Sequence, residues 1–298
     1  MKIFDCFMFY DEELLLDIRL NTLDKYVDFF VIVESQFFHN GLKRQLKFNI
    51  NKFKKFKDKI IYVQHKNEPS KIVKLEDGDN EGTKSYKLIH NAHLRENDQR
   101  NHILEGIKQA DDNDLILISD VDEIPNFNSI DLTKINNQII IFEQEIFYYK
   151  FNRHLKDFKW YGTKACKKSK LQSPQWLRNV KNKKYSFWRL DTFFSKNKYI
   201  NKTFIKNGGW HFSNIKNASD IELKLKSYLH HHDYETEELG YDKINELIKS
   251  NKTIYDMFGD KKSKKYGDDK RHKLQKYDIN KLPQFIQDNQ NQLKTWID

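Results

Sequence analysis

The chain has 298 residues, of which 38% are hydrophobic and 14% aromatic, enough for one large α/β domain or two small ones. This composition excludes a disordered chain. Two cysteines exclude a disulfide framework, and no apolar run reaches the roughly 18 residues of a membrane span. The net charge of +10 favours an anionic partner, namely a nucleotide, a nucleic acid or a membrane surface. A scattered lysine excess is equally consistent with a surface that only keeps the protein in solution. The sequence predicts a cytoplasmic protein.

The first third of the chain predicts alternating strands and helices. Apolar runs at residues 2–10, 28–34 and 59–63 have strand length, and leucines and isoleucines at helical spacing occupy residues 11–24. A β-α-β-loop-β order favours an α/β sheet with a nucleotide-sized crevice at the strand ends.

A long helix is predicted over residues 86–110, after a polar loop at 67–84. It leads into the apolar strand DLILIS, residues 114–119, which is followed at once by Asp120, Asp122 and Glu123. Because ligands of open α/β sheets bind beyond the carboxyl ends of the strands, these carboxylates are expected to meet a ligand.

The second half is predicted to be aromatic and strand-rich, then helical. One continuous domain is expected over residues 1–255, followed by a basic C-terminal extension over 256–298. The predicted elements are strands around 138–151, 187–194 and 199–205, a glycine-supported turn at 207–212, a helical pattern over 220–250, and a closing helix at 280–298.

The Asp-x-Asp element predicts a divalent metal site. Two carboxylates that converge from a turn repel each other unless a cation lies between them. Mg²⁺ and Mn²⁺ prefer one or two carboxylates together with substrate phosphates, so Asp120 and Asp122 are predicted to bind a metal that holds a diphosphate. A plain surface turn ending at Pro125 is the structural alternative.

Two other functions remain open at this point. Phosphohydrolases of the haloacid dehalogenase type also place Asp-x-Asp after an apolar strand, with the first aspartate as nucleophile. A basic protein that binds nucleic acid or another polyanion would account for the charge. Lysines spread along the chain and carboxylates clustered at the site favour the metal-dependent transferase, without a nucleic-acid partner.

Several blocks in the same order resemble glycosyltransferase family 17. They are FDCFMFYDEELLLDIRLNTL, FVIVES, RENDQRNHILEGI followed by DVDEIP, WYGTKAC, NGGWHFS and KLKSYLHHHDY. The resemblance runs from about residue 2 to about residue 255. It implies an α/β, GT-A type fold: a single Rossmann-like domain with a mixed central sheet flanked by helices. It also implies inverting transfer of a sugar, N-acetylglucosamine from its UDP donor, with Mn²⁺ or Mg²⁺ as cofactor. A surface polysaccharide or glycolipid is a more natural acceptor than an N-glycan for a member in the cytoplasm.

With that resemblance, further residues become candidates for the site. His211 is a third metal ligand beside Asp120 and Asp122, and the glycines before it would let the backbone approach a ligand. The predicted donor-binding residues are Glu34, Lys43, Arg100 and Asp120, with Lys224 a weaker candidate.

An inverting transfer needs a general base for the acceptor hydroxyl. Glu145 and Asp191 are the first candidates because each lies in an aromatic, strand-like context where burial would raise a carboxyl pKa. Asp233 is a further candidate. Of the run His230 to His232, only one side chain can face the site, because successive helical residues point about 100° apart.

Overall fold

The computed structural model describes residues 1–128, 130, 139–186, 188–192, 194–228, 234, 238–257 and 271–298. Asp233 and the run His230 to His232 lie outside these residues. The described strands form two mixed sheets flanked by helices, so the α/β class is confirmed, while the expected single sheet is replaced by two.

The larger sheet positions the acidic cluster. Its strands are β1 (Ile3–Phe9), β2 (Phe29–Ser35), β3 (Ile60–His65), β4 (Leu115–Asp120), β6 (Ile139–Phe142), β9 (Lys164–Lys167) and β10 (Lys202–Ile205). They lie in the order β10-β6-β9-β4-β1-β2-β3. The strands β1 to β4 are parallel, whereas β9 runs antiparallel to β4 and β6. The chain moves from β1 outward to β3 and then returns to the other side of β1. A topological switch point therefore lies between β1 and β4.

The smaller sheet carries the second half of the site. Its strands are β5 (Glu123–Pro125), β7 (Gln144–Tyr148), β8 (Arg153–Trp160), β11 (Gly209–Ser213) and β12 (Gln275–Lys276), in the order β12-β8-β7-β11-β5. The pair β5 and β11 is antiparallel and sets His211 opposite Glu123. This pairing joins two segments that are more than eighty residues apart in sequence.

The helices are α1 (Glu13–Leu23), α2 (Glu81–Asn101), α3 (Ile103–Gly106), α4 (Pro174–Asn179), α5 (Ala218–Ser227), α6 (Gly240–Lys249) and α7 (Gln284–Asp288). Helices α1 and α7 pack on one face of the larger sheet and α3 and α4 on the other, whereas α5 and α6 pack against the smaller sheet. Successive side chains of a strand alternate between faces. Phe7 and Phe9 therefore pack in the core beneath α1, while Phe4 and Cys6 pack in the opposite core with α3 and α4.

The described end of the chain belongs to the same core as the first half. Leu282, Ile286 and Leu293 are buried in the cluster that contains α1. Trp210 is buried in the same core, and its indole donates to the carbonyl of Lys281 at 3.0 Å. No helix among the described residues is both long enough and apolar enough to cross a bilayer.

The predicted elements of the first third are confirmed to within a few residues at their ends, but two later predictions are wrong. The described residues around 187–194 contain a 3-10 turn at Leu190–Thr192 instead of a strand. The expected closing helix over 280–298 is a series of short turns, of which α7 is one, because Pro283 cannot continue the helical hydrogen bonds of the turn before it.

Candidate active site

A pocket opens at the switch point. Its walls come from segments at the carboxyl ends of β1, β2 and β4, from α2, and from the distant helix α5. The lining residues used below are Tyr10, Glu12, Phe38, His39, Arg44, Glu96, Arg100, Asp120, Asp122, Lys224 and Tyr228. The predicted crevice is therefore present, and Asp120 and Asp122 both line it.

Asp120 lies between two arginines. Its carboxylate accepts from Arg100 at 3.2 Å and from Arg178 at 2.7 Å. Burial opposes ionisation of Asp120, but the two guanidinium groups outweigh it and hold the pKa of this carboxyl well below its usual range. Asp120 thus carries its negative charge without needing a metal ion beside it.

Asp122 faces His211 and Lys224 instead. Its Oδ2 lies 3.7 Å from His211 Nε2 and 4.0 Å from Lys224 Nζ, beyond hydrogen-bond length but close enough for charge interaction. Burial again raises the carboxyl pKa, and His211 and Lys224 lower it by more, so that the pKa of Asp122 falls below its ordinary value. The Asp122 carboxylate is therefore ionised at neutral pH.

Asp122 and His211 are the pair that fits a divalent ion. Two ligands of one ion are roughly 3 to 4 Å apart at metal–ligand distances of about 2.1 Å, and Oδ2 and Nε2 are 3.7 Å apart. The described residues contain no group of three or more histidine, cysteine or acidic side chains placed to hold a metal. The expected trio with Asp120 is thus not assembled, and the remaining ligands would have to come from substrate phosphate and water.

The glycines of NGGWHF serve the chain itself. A Cβ on Gly209, whose φ is +135°, would lie 2.1 Å from the carbonyl oxygen of Ile124. Gly209 thus leaves room for the backbone that carries the acidic cluster, and not for a ligand as predicted. The same contact brings His211 beside Asp122, and the amide of Phe212 donates to the carbonyl of Asp122 at 2.9 Å.

Two residues of the pocket wall have a buried nitrogen without a hydrogen-bond partner among the described residues, namely His39 at Nδ1 and Arg100 at Nε. His211 Nδ1, next to Asp122, is a third such atom. Buried polar atoms are nearly always hydrogen-bonded in folded proteins, so a group of exceptions at one pocket indicates a missing polar ligand or water.

Aromatic side chains form the wall of the pocket nearest β1 and β2. Tyr10 contacts Phe38 and Tyr228, with ring centroids 5.3 Å apart in each pair, and the Arg44 guanidinium lies 4.2 Å over the Tyr10 ring. The Tyr228 hydroxyl donates to Glu12 at 2.9 Å, which ties the end of α5 to the start of α1. This wall can stack a planar ring.

Arg19 holds the acidic segment in place. Its fully buried guanidinium binds both oxygens of Asp5 at 2.6 and 2.7 Å. It also donates to the carbonyls of Asp120, Val121 and Glu123 at 3.1, 3.3 and 2.7 Å. The turn that aims the two aspartates is thus fixed from α1.

Arg178 and Glu123 form a second support. Both Glu123 oxygens accept from Arg178 at 2.7 Å, and one of them also accepts from the Trp160 indole at 2.5 Å. A Cβ on Gly162 would lie only 2.0 Å from the Glu123 carboxylate, so this position has no room for a side chain. Neither Arg19 nor Arg178 was predicted as a site residue from the sequence. The only indication in the sequence is that Asp5 in β1 and Arg19 in α1 are charged residues inside apolar patterns.

Two predicted donor ligands lie away from the pocket. Glu34 is fully buried, and its carboxylate accepts from Arg44, from the amides of Lys47 and Phe48, and from the Tyr62 hydroxyl. It therefore anchors the loop after β2. Lys43 is exposed, and its neighbour Arg44 lines the pocket instead.

The two predicted bases also lie outside the pocket lining. Glu145 is bound by His154 and Lys159, and Asp191 sits in an exposed turn between Arg189 and Lys198. The prediction of a raised carboxyl pKa is wrong for both Glu145 and Asp191. Burial does oppose the charge of Glu145, but its two partners hold its pKa below the ordinary value, and hydrogen bonds from Arg189 and Lys198 do the same for Asp191.

A second cleft adjoins the pocket. Glu96 and Arg100 line both, and Arg178 lines the second cleft while binding Asp120. The rest of its wall combines the aromatic rings of Trp160 and Tyr161 with the amides Asn97, Gln175, Asn179 and Asn182. Rings and amides together suit the apolar faces and hydroxyl groups of a sugar.

Lys164 should make stability depend on pH. It lines this cleft, and its Nζ donates to the carbonyls of Arg178 and Val180 at 2.6 Å each. Burial, and next the nearby Arg178, lower its pKa to about 7. Between pH 7 and 10 the unfolded chain binds this proton and the folded chain largely does not, so the free energy of unfolding should rise with pH, by about 2 kcal/mol from pH 7.5 to 9.

Urea denaturation of the wild type and Lys164→Met at pH 7.5 and 9 measures this contribution. The variant should lack the rise, because it has no proton to lose. Equal changes with pH in the two proteins would contradict the lowered pKa.

The profile of glycosyltransferase family 17 matches residues 1–297. The chain belongs to glycosyltransferase family 17. This match confirms the resemblance read from the sequence blocks and continues through the C-terminal residues that those blocks did not cover. No curated protein matches the chain significantly. Membership supports a glycosyl transfer role, with a donor and an acceptor as substrates, and it separates this chain from the haloacid dehalogenase-type phosphohydrolases.

Proposed function

We propose that this family 17 protein is a metal-dependent, inverting glycosyltransferase of the GT-A type that transfers N-acetylglucosamine from UDP-N-acetylglucosamine to a glycan hydroxyl. The observation that carries the proposal is the pocket at the switch point, in which Asp122 and Lys224 lie beside an aromatic wall, with His211 behind Asp122. Nucleotides bind at this place in open α/β sheets.

The two ends of the donor have distinct surroundings in this proposal. The aromatic wall of Tyr10, Phe38 and Tyr228 would stack the nucleobase. Lys224, whose Nζ lies between the Tyr228 ring and Asp122, at 5.3 Å from the ring centroid and 4.0 Å from Oδ2, would bind the diphosphate as a cation. Asp122 and His211 would hold Mn²⁺ or Mg²⁺, which when bound neutralises charge on the departing diphosphate.

The acceptor would approach from the second cleft. In an inverting transfer the acceptor oxygen forms its bond to the anomeric carbon on the face opposite the breaking bond to phosphate. Glu96 is the carboxylate that lines both the pocket and the cleft, and we assign it the acceptor proton in place of Glu145 or Asp191. Arg100, which donates to Glu96 at 2.9 Å, holds it ionised for that role.

Replacement of this base should affect chemistry and leave donor binding unchanged. Glu96→Gln is expected to lower UDP release from UDP-N-acetylglucosamine by about a hundredfold, in the range typical of general-base removal, with the Kd for UDP within about twofold of wild type. A variant that turns over normally would exclude Glu96 as the base. Assays would contain a mixture of soluble oligosaccharide acceptors.

The proposed function is tested by calorimetry of UDP, ADP and GDP with Mn²⁺ and with EDTA. UDP should bind in the presence of Mn²⁺. With EDTA it should bind at least tenfold more weakly, because the ion that joins Asp122 to the diphosphate is then missing. UDP-N-acetylglucosamine should compete with UDP. Absence of nucleotide binding in every condition, or affinity unchanged by EDTA, would refute the metal–diphosphate site.

A further inference from the structure

A basic and aromatic loop projects between α4 and β10. We call it the 181–202 loop and consider only its described residues. Three large apolar side chains in it are exposed: Trp188 at 75%, Phe194 at 91% and Ile200 at 40% of their surface. Burying such side chains is favourable, so their exposure together in one loop marks a contact surface.

The same loop is locally basic. Between residues 181 and 202 the sequence has six lysines and one arginine against one aspartate. Asp191 is already bound by Arg189 and Lys198, which leaves the charge of the other lysines uncompensated within the loop. Lys181, Lys183, Lys184 and Lys196 are exposed.

The loop folds back on itself, which places these groups on one projection. The amide of Lys181 donates to the carbonyl of Asn197 at 2.8 Å. Lys202 Nζ donates to the carbonyls of Lys181 and Lys183, and lies 4.8 Å over the Tyr185 ring. Both ends of the loop therefore lie side by side, and Trp188 and Phe194 fall in the stretch between them.

An anionic lipid surface fits this combination. Lysines beside protruding tryptophan and phenylalanine attract lipid headgroups while the rings enter the interfacial layer. Nucleic acid is the less suitable partner, because the guanidinium group is the side chain best suited to bidentate phosphate contacts, and that of Arg189, the one arginine in the loop sequence, is already engaged by Asp191.

We propose that the 181–202 loop docks the protein on anionic lipid bilayers. Asn182, in the first part of the loop, also lines the second cleft, so that docking brings this cleft next to the lipid surface. A lipid-linked glycan is then the acceptor class with direct access to the cleft; this consequence rests on the proposed function, whereas docking itself does not.

Co-sedimentation of the full chain with vesicles tests the proposal. Nucleotide and metal are left out, so that the outcome is independent of transferase activity. The wild type should bind vesicles made of equal amounts of phosphatidylcholine and phosphatidylglycerol. Its binding to vesicles of phosphatidylcholine alone should be at least tenfold weaker. Trp188→Ser combined with Phe194→Ser should lower the partition coefficient at least tenfold. Lys183→Glu with Lys196→Glu should do the same.

The control pair is Tyr86→Ser with Leu75→Ser, two apolar side chains that are also exposed, at 67% and 51%, but lie outside the loop. This pair should bind as the wild type does. The proposal is overturned if the wild type does not prefer the anionic vesicles, or if the loop and control variants bind alike. It is also overturned if the chain binds a single-stranded oligonucleotide more tightly than these vesicles and the loop variants lose that binding instead.

Discussion

Arg19→Met is expected to lower the free energy of unfolding by about 3 to 5 kcal/mol, the usual cost of leaving a buried charge without its partner. Asp5 and Arg19 are both fully buried and bind each other through two hydrogen bonds. The substitution also leaves the carbonyls of Asp120, Val121 and Glu123 without their donor. Urea denaturation measures the loss.

A double variant separates stability from the site. Arg19→Met with Asp5→Leu removes both charges, so it should regain much of the lost stability. The three carbonyls of the acidic turn remain unsupported, so metal-dependent UDP binding should stay at least tenfold weaker than in the wild type. Wild-type UDP affinity in the double variant would show that Arg19 does not position the turn.

Asp122→Asn is expected to lower glycosyl transfer by about a thousandfold, which corresponds to roughly 4 kcal/mol of transition-state stabilisation. The amide keeps the shape of the side chain but removes the charge that faces His211 and Lys224. UDP affinity in Mn²⁺ should fall at least tenfold and lose its sensitivity to EDTA. Calorimetry and UDP release measure the two effects.

Glu145→Gln and Asp191→Asn are the matched controls. Both remove a carboxylate charge, as Asp122→Asn does, but at side chains that lie outside the pocket and are bound by neighbouring cations. Transfer within about threefold of wild type is expected for each. A thousandfold loss of glycosyl transfer in either control, with Asp122→Asn still active, would show that the catalytic centre lies outside the pocket.

The sequence by itself determined the parts that depend on local pattern. Apolar runs of strand length and helical spacing placed β1, α1, β2, β3 and β4 to within a few residues. The acidic group directly after β4 predicted the position of the pocket, because strand ends in an α/β sheet determine where ligands bind. The ordered blocks were sufficient to identify family 17.

Only the tertiary structure decided which residues meet at that pocket. Arg178 reaches Asp120 from α4, and Lys224 reaches Asp122 from α5; their separations in sequence are 58 and 102 residues, so no local period relates them. Glu34 has the residue type and position of a ligand, yet its hydrogen bonds go to the loop that it anchors. Local sequence determines whether a segment becomes a strand or a helix, whereas the partner of a charge depends on how distant segments pack.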